Sequence, residues 1–206
     1  MNNRGPVIYV VDDDVSVRRA LTLLLKSHGF KVQAFTRAAD FLAFKRLKLP
    51  SCLILDIRLP GINGLALQEV MKRRGISIPI IFITGHGDIP MSVKAMKAGA
   101  VDFLPKPVTE KKLLNAIETA ILKSKDQNKE QAEISKIKRR IKTLSPRELE
   151  VFRLVAKGML SKQIAFKRGT HLTTIKVHRM RVMQKMRART VTELIYFAQI
   201  AGIASS

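Results

Sequence analysis

Polar residues of matched chemistry stand at the ends of successive apolar runs, and no other feature constrains the fold of this chain as much. Val7-Ile8-Tyr9-Val10-Val11 is closed by Asp12 and Asp13, Cys52-Leu53-Ile54-Leu55 by Asp56, and Ile80-Ile81-Phe82-Ile83 by Thr84; Lys106 stands just beyond Val101-Asp102-Phe103-Leu104. Near-continuous apolar runs of this length read as strands buried on both faces of a parallel sheet. In an open α/β sheet, the carboxyl ends of the strands meet at a crevice near the topological switch point. Three carboxylates, a hydroxyl and an ammonium are therefore expected in one place.

Three crowded carboxylates raise one another's pKa unless positive charge is supplied. A hard divalent ion such as Mg2+ meets that need through oxygen ligands, and Lys106 adds a fixed charge. A carboxylate beside both is a plausible nucleophile toward a phosphoryl group, giving an aspartyl phosphate. Asp56 is the best candidate, because it is followed by the turn Pro60-Gly61-Ile62-Asn63-Gly64. A single Asp at a strand end is more often a turn or helix cap; the joint pattern outweighs that reading.

Several segments resemble the bacterial response-regulator receiver domain. They are Val10 to Asp14, Asp56 to Gly64, Ile83-Thr84-Gly85-His86-Gly87-Asp88, and the block from Ala95 through Phe103-Leu104-Pro105-Lys106-Pro107. The likeness spans about residues 6–122, and its last two blocks are similar to the FixJ branch. It implies that Asp56 takes a phosphoryl group from a sensor histidine kinase. It also implies that Asp13, Asp56 and the Arg58 carbonyl hold Mg2+, with Asp12 helping through water. Thr84 and Phe103 become the switch pair, Lys106 contacts the phosphoryl oxygens, and the Lys106-Pro107 bond is cis. Such a protein is a phosphoacceptor that takes part in its own phosphorylation and dephosphorylation, not a turnover enzyme.

At 206 residues the chain exceeds the usual size of one domain. With Cys52 the only cysteine, no internal disulfide can form. The apolar run after Pro6 is too short for a secretory signal, and none approaches a membrane span, so the expected location is the cytoplasm.

Charge is unevenly spread. The net charge is +22, and the last 62 residues hold 12 Lys and Arg against Glu148, Glu150 and Glu193. A basic domain of that kind favours a polyanion, most often nucleic acid, although charge alone leaves a solvated surface equally open. Residues 123–133 are polar and free of Gly and Pro, as in a linker that continues a preceding helix. Ile134, Ile137, Ile141 and Leu144 keep helical spacing; docking on their own domain is favoured over pairing with a second linker, since the repeat is too short for a sustained coiled coil.

Beyond the linker the pattern is of four short helices. Ser145-Pro146-Arg147-Glu148 is a capping box with proline at the first helical position. Ser161 is expected to cap a second helix through residue 167, a third covers about residues 173–186, and Thr190 with Glu193 caps the fourth. A brief break between the second and third suggests helix-turn-helix. On the third, Ile175, His178, Val182 and Met186 form one stripe, while Thr173, Lys176, Val177, Met180 and Gln184 lie opposite. The second face suits a major groove, where Lys donates to guanine and apolar side chains touch thymine methyls. Arg179, Arg181 and Lys185 flank it, where phosphates would lie. Inward packing of Val177 and Met180 is the competing reading.

Residues 143–202 resemble the LuxR/FixJ-type DNA-binding domain. The motifs are Leu144-Ser145-Pro146-Arg147-Glu148-Leu149-Glu150-Val151, Ser161-Lys162-Gln163-Ile164-Ala165 and Thr174-Ile175-Lys176-Val177-His178-Arg179. The likeness implies a phosphate contact for Lys162, base contacts for Lys176, Val177 and Met180, and a DNA-facing surface that includes Thr173, Thr174, Arg179, Arg181 and Lys185. His178 is structural. The turn departs from the pattern: Arg168 stands where an apolar residue is usual, Thr170 where Ile or Val is usual, and His171 in place of a Ser cap. Arg168 is expected to snorkel and Thr170 to act as a shifted cap.

The expectation is a FixJ-like transcriptional response regulator. Residues 1–122 form an α/β receiver, a doubly wound parallel five-stranded sheet of order 2-1-3-4-5. Residues 123–142 are a linker, and residues 143–206 a second, all-α four-helix DNA-binding domain. Its cofactor is Mg2+ and its partners are a sensor histidine kinase and double-stranded DNA, with RNA polymerase left open and no membrane. Receivers pair as a homodimer on phosphorylation, through roughly residues 91–104. Two other classes stay open: a phosphoryl relay or kinase-binding adaptor that has lost DNA binding, and an RNA-directed protein.

Overall fold

The computed structural model describes residues 5–44, 47, 49–85 and 89–203. It divides into two compact units, residues 1–128 and 129–206.

The first unit alternates strands and helices. Its elements are β1 (Val7–Val11), α1 (Val15–Ser27), β2 (Lys31–Phe35), α2 (Ala38–Ala43), β3 (Ser51–Asp56), α3 (Gly64–Arg73), β4 (Ile80–Thr84), α4 (Ile89–Lys97), β5 (Asp102–Pro105) and α5 (Glu110–Ile141). All strand pairs are parallel and the order is β2-β1-β3-β4-β5. Every residue of β1, β3 and β4 is buried, as their unbroken apolar composition requires, while β2 and β5 at the edges are partly exposed. Alternate side chains feed two cores. Tyr9, Phe41, Leu53, Leu55, Leu67 and Phe82 meet on one face; Ile8, Val10, Leu25, Ile54, Ile81 and Ile117 meet on the other. The fifth strand lies one residue later than its apolar run suggests, because it pairs Ile81 with Asp102 and Thr84 with Pro105.

This order puts the switch point at β1, whose two neighbours are β2 and β3. Asp12 leaves β1 and Asp56 ends β3, so both sit at the crevice.

The polar stretch after residue 122 is helical. Helix α5 runs unbroken from Glu110 to Ile141; Leu113, Ala116 and Ile117 pack on the sheet, and Ile137 is buried among the C-terminal helices with Ile141 and Leu144 against it.

The second unit consists of the end of α5 with α6 (Pro146–Ala156), α7 (Ser161–Arg168), α8 (Leu172–Met186) and α9 (Val191–Ile200). Val151, Phe152, Ile164, Ile175, Val182 and Leu194 form its core. The α6 capping box is formed: Glu148 N–H donates to Ser145 Oγ at 3.3 Å and Ser145 N–H to Glu148 Oε2 at 2.7 Å. Thr190 caps α9 by accepting from Glu193 N–H at 3.1 Å. Two local expectations are corrected. Ser161 is the first residue of α7, with Leu160 at the N-cap and its N–H given to Gln163 Oε1 at 2.8 Å. At α8 the N-cap is His171, without a side-chain bond, so Thr170 is not a shifted cap; its N–H closes the α7 C-terminus onto the Ala165 carbonyl at 3.1 Å.

Candidate functional site

In the first unit, Asp12, Asp13 and Asp56 each bring a carboxylate oxygen within 4.8 Å of the others. Asp12 and Asp56 are buried and Asp13 is exposed. Lys106 Nζ donates to Asp12 Oδ2 at 2.9 Å and to Asp56 Oδ2 at 2.8 Å. Its backbone N–H donates to the Thr84 carbonyl at 2.7 Å, and the Lys106-Pro107 bond is cis. The other oxygens are also engaged: Asp12 Oδ1 accepts from Asp14 N–H at 2.9 Å, and Asp56 Oδ1 from Arg58 N–H at 3.2 Å.

Burial pushes the Asp12 carboxyl above its ordinary value and the Asp56 charge adds to this, against the pull of Lys106 and the Asp14 amide. At Lys106 burial is the largest influence and opposes the charge. The hydrogen bonds and attraction of Asp12 and Asp56 together outweigh it, so its pKa is raised. One lysine against three carboxylates leaves the cluster two positive charges short of balance. All its donors are hard oxygens and Asp13 is open to solvent, so the set suits a hard divalent ion. Asp13 and Arg58 both line an open cavity of about 690 Å³ that gives access to this side.

Other residues hold the site in place. Asp14 is the N-cap of α1, accepting from Ser16 N–H at 2.7 Å and Val17 N–H at 3.3 Å. Arg18 donates to the Asp12 carbonyl at 2.7 Å. Gly64 opens α3 against the strand that carries Asp56: its N–H reaches the Ile57 carbonyl at 2.9 Å, and a Cβ there would overlap the Asp56 carbonyl oxygen. The Pro60-Gly61-x-x-Gly64 turn was visible in the sequence, but not what its last glycine touches. Thr84 is buried at the end of β4, and Phe103 is half-buried with its ring centre 6.4 Å from that of Phe82. His86, Gly87 and Asp88 of the same block lie outside the described residues.

The second unit has a different surface. On α8, Ile175, Val182 and Met186 are buried and His178 half-buried, whereas Thr173, Thr174, Lys176, Val177, Met180, Arg181 and Gln184 are exposed. Val177 and Met180 are 41% and 53% exposed, which disposes of inward packing. Lys162 is exposed at the start of α7. Arg179 is half-buried and donates to Ser161 Oγ at 3.3 Å, tying α8 to α7.

Two cations have partners that the sequence did not disclose. Lys185 Nζ meets the buried Glu148 at 2.6 Å and the Thr143 carbonyl at 3.2 Å, so the flank position expected to face phosphate is held by a carboxylate. Glu148 is pulled below the usual carboxylate range by Lys185 and the Ser145 amide, against the effect of burial. Arg168 does not merely snorkel; it pairs with Glu150 at 2.6 Å, and Arg147 approaches the same carboxylate at 3.4 Å. The unusual turn is therefore anchored to α6 by charge.

Comparison with known proteins agrees with both halves. Residues 8–118 match the response regulator receiver domain family, and residues 142–198 match the luxR family of bacterial regulatory proteins. The chain is a FixJ-type response regulator. This regulator is 46% identical over 200 residues to nodulation protein W of Bradyrhizobium diazoefficiens, covering 97% of the chain and 88% of that protein. It is 42% identical to the transcriptional regulatory protein FixJ of the same organism, covering 95% of the chain and 96% of that protein. The solved structure of response regulator StyR superposes with a TM-score of 0.77 at 42% identity, covering 95% of the regulator and 98% of that chain. A DNA-binding domain of the luxR family and an exposed α8 face disfavour the adaptor reading. Among the described residues no helix is long and apolar enough to cross a membrane.

Proposed function

We propose that Asp56 accepts a phosphoryl group from a phosphohistidine of a sensor kinase, and that this event controls binding of duplex DNA through α8. The observation that carries the reading is Lys106, whose ammonium is shared between Asp12 and Asp56 beside a third carboxylate. One Asp56 carboxylate oxygen attacks phosphorus, the P–N bond to the kinase histidine breaks, and the product is an acyl phosphate. Asp12, Asp13, Asp56 and the Arg58 carbonyl would hold Mg2+. When bound, the ion neutralises charge on the phosphoryl oxygens. Lys106 releases Asp56 Oδ2 and contacts a phosphoryl oxygen. The added charge of about −1.5 to −2 engages the Thr84 hydroxyl, and Phe103 repacks against Phe82.

The surface next to that switch is suited to pairing. Ile89, Val93 and Met96 of α4 are 80%, 44% and 44% exposed and fall at helical spacing, an apolar stripe that a second receiver would cover. Pairing joins two DNA heads and raises affinity through effective concentration. In each head, Lys162, Arg179 and Arg181 position the backbone, while Thr173, Thr174, Lys176, Val177 and Met180 face the groove.

The test is to treat the protein with a small phosphodonor and Mg2+, then select bound genomic fragments with and without treatment. Enrichment of a common duplex sequence on treatment is expected. Equal recovery of all fragments in both arms would sink the coupling.

A further inference from the structure

We propose that a basic cavity at the C-terminal end of α8, closed on its other side by the end of α5, is a second phosphate-binding surface that grips the DNA backbone beside the base-reading face. The proposal rests on the duplex-binding reading above and adds residues to it.

The cavity measures about 500 Å³ and is lined by Lys136, Arg139, Arg140, Thr143, Lys185 and Arg187. None of these is a carboxylate. Lys136 pairs with Glu133 and Lys185 with Glu148, while Arg140 donates to the Met186 carbonyl at 3.1 Å. Arg139 and Arg187 make no ion pair among the described residues, so two guanidinium groups face the space with their charge unspent.

Cations suit the C-terminus of a helix, where unsatisfied carbonyls concentrate negative potential. Two such ends, those of α5 and α8, converge here, which explains how the cluster is tolerated. It does not explain Arg187. That residue follows α8 with φ 55° and ψ 36°, and it is the one non-glycine residue with positive φ among the described residues. Gly or Asn is the usual occupant of such a position, because a Cβ disfavours the left-handed conformation. Keeping an arginine there retains a guanidinium at this point in spite of the backbone.

Geometry favours the phosphates of the strand bordering the α8 groove. Taking Thr173 as the centre of the reading face, Arg181 lies roughly 80° and Lys185 roughly 120° around the helix, on the same flank. Arg187 is about 10 Å beyond Met180 along the axis at the α-helical rise. The flank therefore runs from the exposed Arg181 into the cavity, and the forked donors of arginine suit phosphate oxygens.

The test uses the full-length protein and fluorescence anisotropy on a selected and an unrelated duplex across several salt concentrations. The double variant Arg139→Ala, Arg187→Ala should lower the magnitude of the log–log salt slope by about two units, at roughly 0.9 per phosphate contact. Affinity for both duplexes should fall by the same factor. Arg187→Gly keeps the left-handed backbone and removes only the charge; its slope should fall by about one unit, with no loss of thermal stability. An unchanged slope in both variants overturns the proposal while leaving duplex binding intact. Failure of the wild-type protein to bind any duplex overturns both. A second arm titrates ATP without DNA: saturable binding that the double variant loses, with the duplex slope unmoved, would assign the cavity to free nucleotide and overturn the DNA assignment.

Discussion

The receiver buries two of its three site carboxylates, and the DNA-binding unit exposes most of the polar side chains on the outer face of α8. At the crevice, Asp12 is fully buried, Asp56 nearly so, and one lysine is shared between them. On α8 the side chains proposed to face the groove lie in solvent over a closed apolar core. The difference follows from the chemistry each half performs. Phosphoryl chemistry gains from a low-dielectric site in which charges are already oriented. Reading DNA requires side chains that reach beyond the protein surface, and its phosphate contacts are screened by salt. A single substitution at the receiver crevice should therefore act through burial and geometry, and one of the unpaired side chains on the exposed face of α8 through partner contacts.

The largest effect expected is complete. Asp56→Asn should abolish phosphoryl incorporation from a small donor, whereas Asp14→Asn should preserve it, since Asp14 caps α1 and asparagine caps equally well. Radiolabel retained by Asp56→Asn would remove the nucleophile assignment.

Backbone geometry comes next. Gly64→Ala places a methyl against the Asp56 carbonyl, which cannot yield cheaply, and should destabilise the receiver by about 1–3 kcal/mol. Denaturant unfolding followed on the separate units should show the change in residues 1–128 only.

Lys176→Ala probes the exposed half. It should cost about 1–3 kcal/mol on a preferred duplex and flatten discrimination at one base pair, with no change in melting temperature. Lys162→Ala should instead weaken all duplexes alike and reduce the salt slope by about one unit. Equal weakening of every sequence by Lys176→Ala would make it a phosphate contact.

One buried charge in the second unit blurs the contrast, and pH exposes it. Folding lowers the pKa of Glu148 from its ordinary 4.5. The folded unit then binds fewer protons than the unfolded chain, so this stabilisation is complete above 4.5 and disappears as pH falls through the depressed folded value. Glu148→Gln should cost about 1–2 kcal/mol near neutrality and remove that part of the acid sensitivity. Thermal melts of the second unit from pH 7 to pH 3 measure both.

The smallest effect belongs to the turn. Arg168 and Glu150 are each about one-third exposed in their side chains, so Arg168→Ala should cost below about 1 kcal/mol. Exchange of the two charges in a double variant should recover part of it. A loss several times larger in thermal unfolding would mean that the turn depends on this pair more than a partly exposed ion pair allows.

The sequence by itself determined four of the five strands, the strand ends that carry Asp12, Asp56 and Thr84, the capping box of α6 and the Thr190 cap of α9, and the buried and exposed faces of α8. Each of these is a short-range pattern: an apolar period, a cap three residues from its partner, a polar residue at the end of a run. Tertiary structure alone decided the charge pairings. That Lys106 joins the carboxylates was legible at the strand ends, but its particular bonds to Asp12 and Asp56, the meeting of Lys185 with Glu148 across 37 residues, and that of Arg168 with Glu150 on a different helix were not. It also decided that Gly64 must lack a side chain and that Arg187 would be left-handed. Local patterns survive in the unfolded chain, whereas a pairing depends on which charges arrive together once the helices have packed, and no spacing along the chain encodes that.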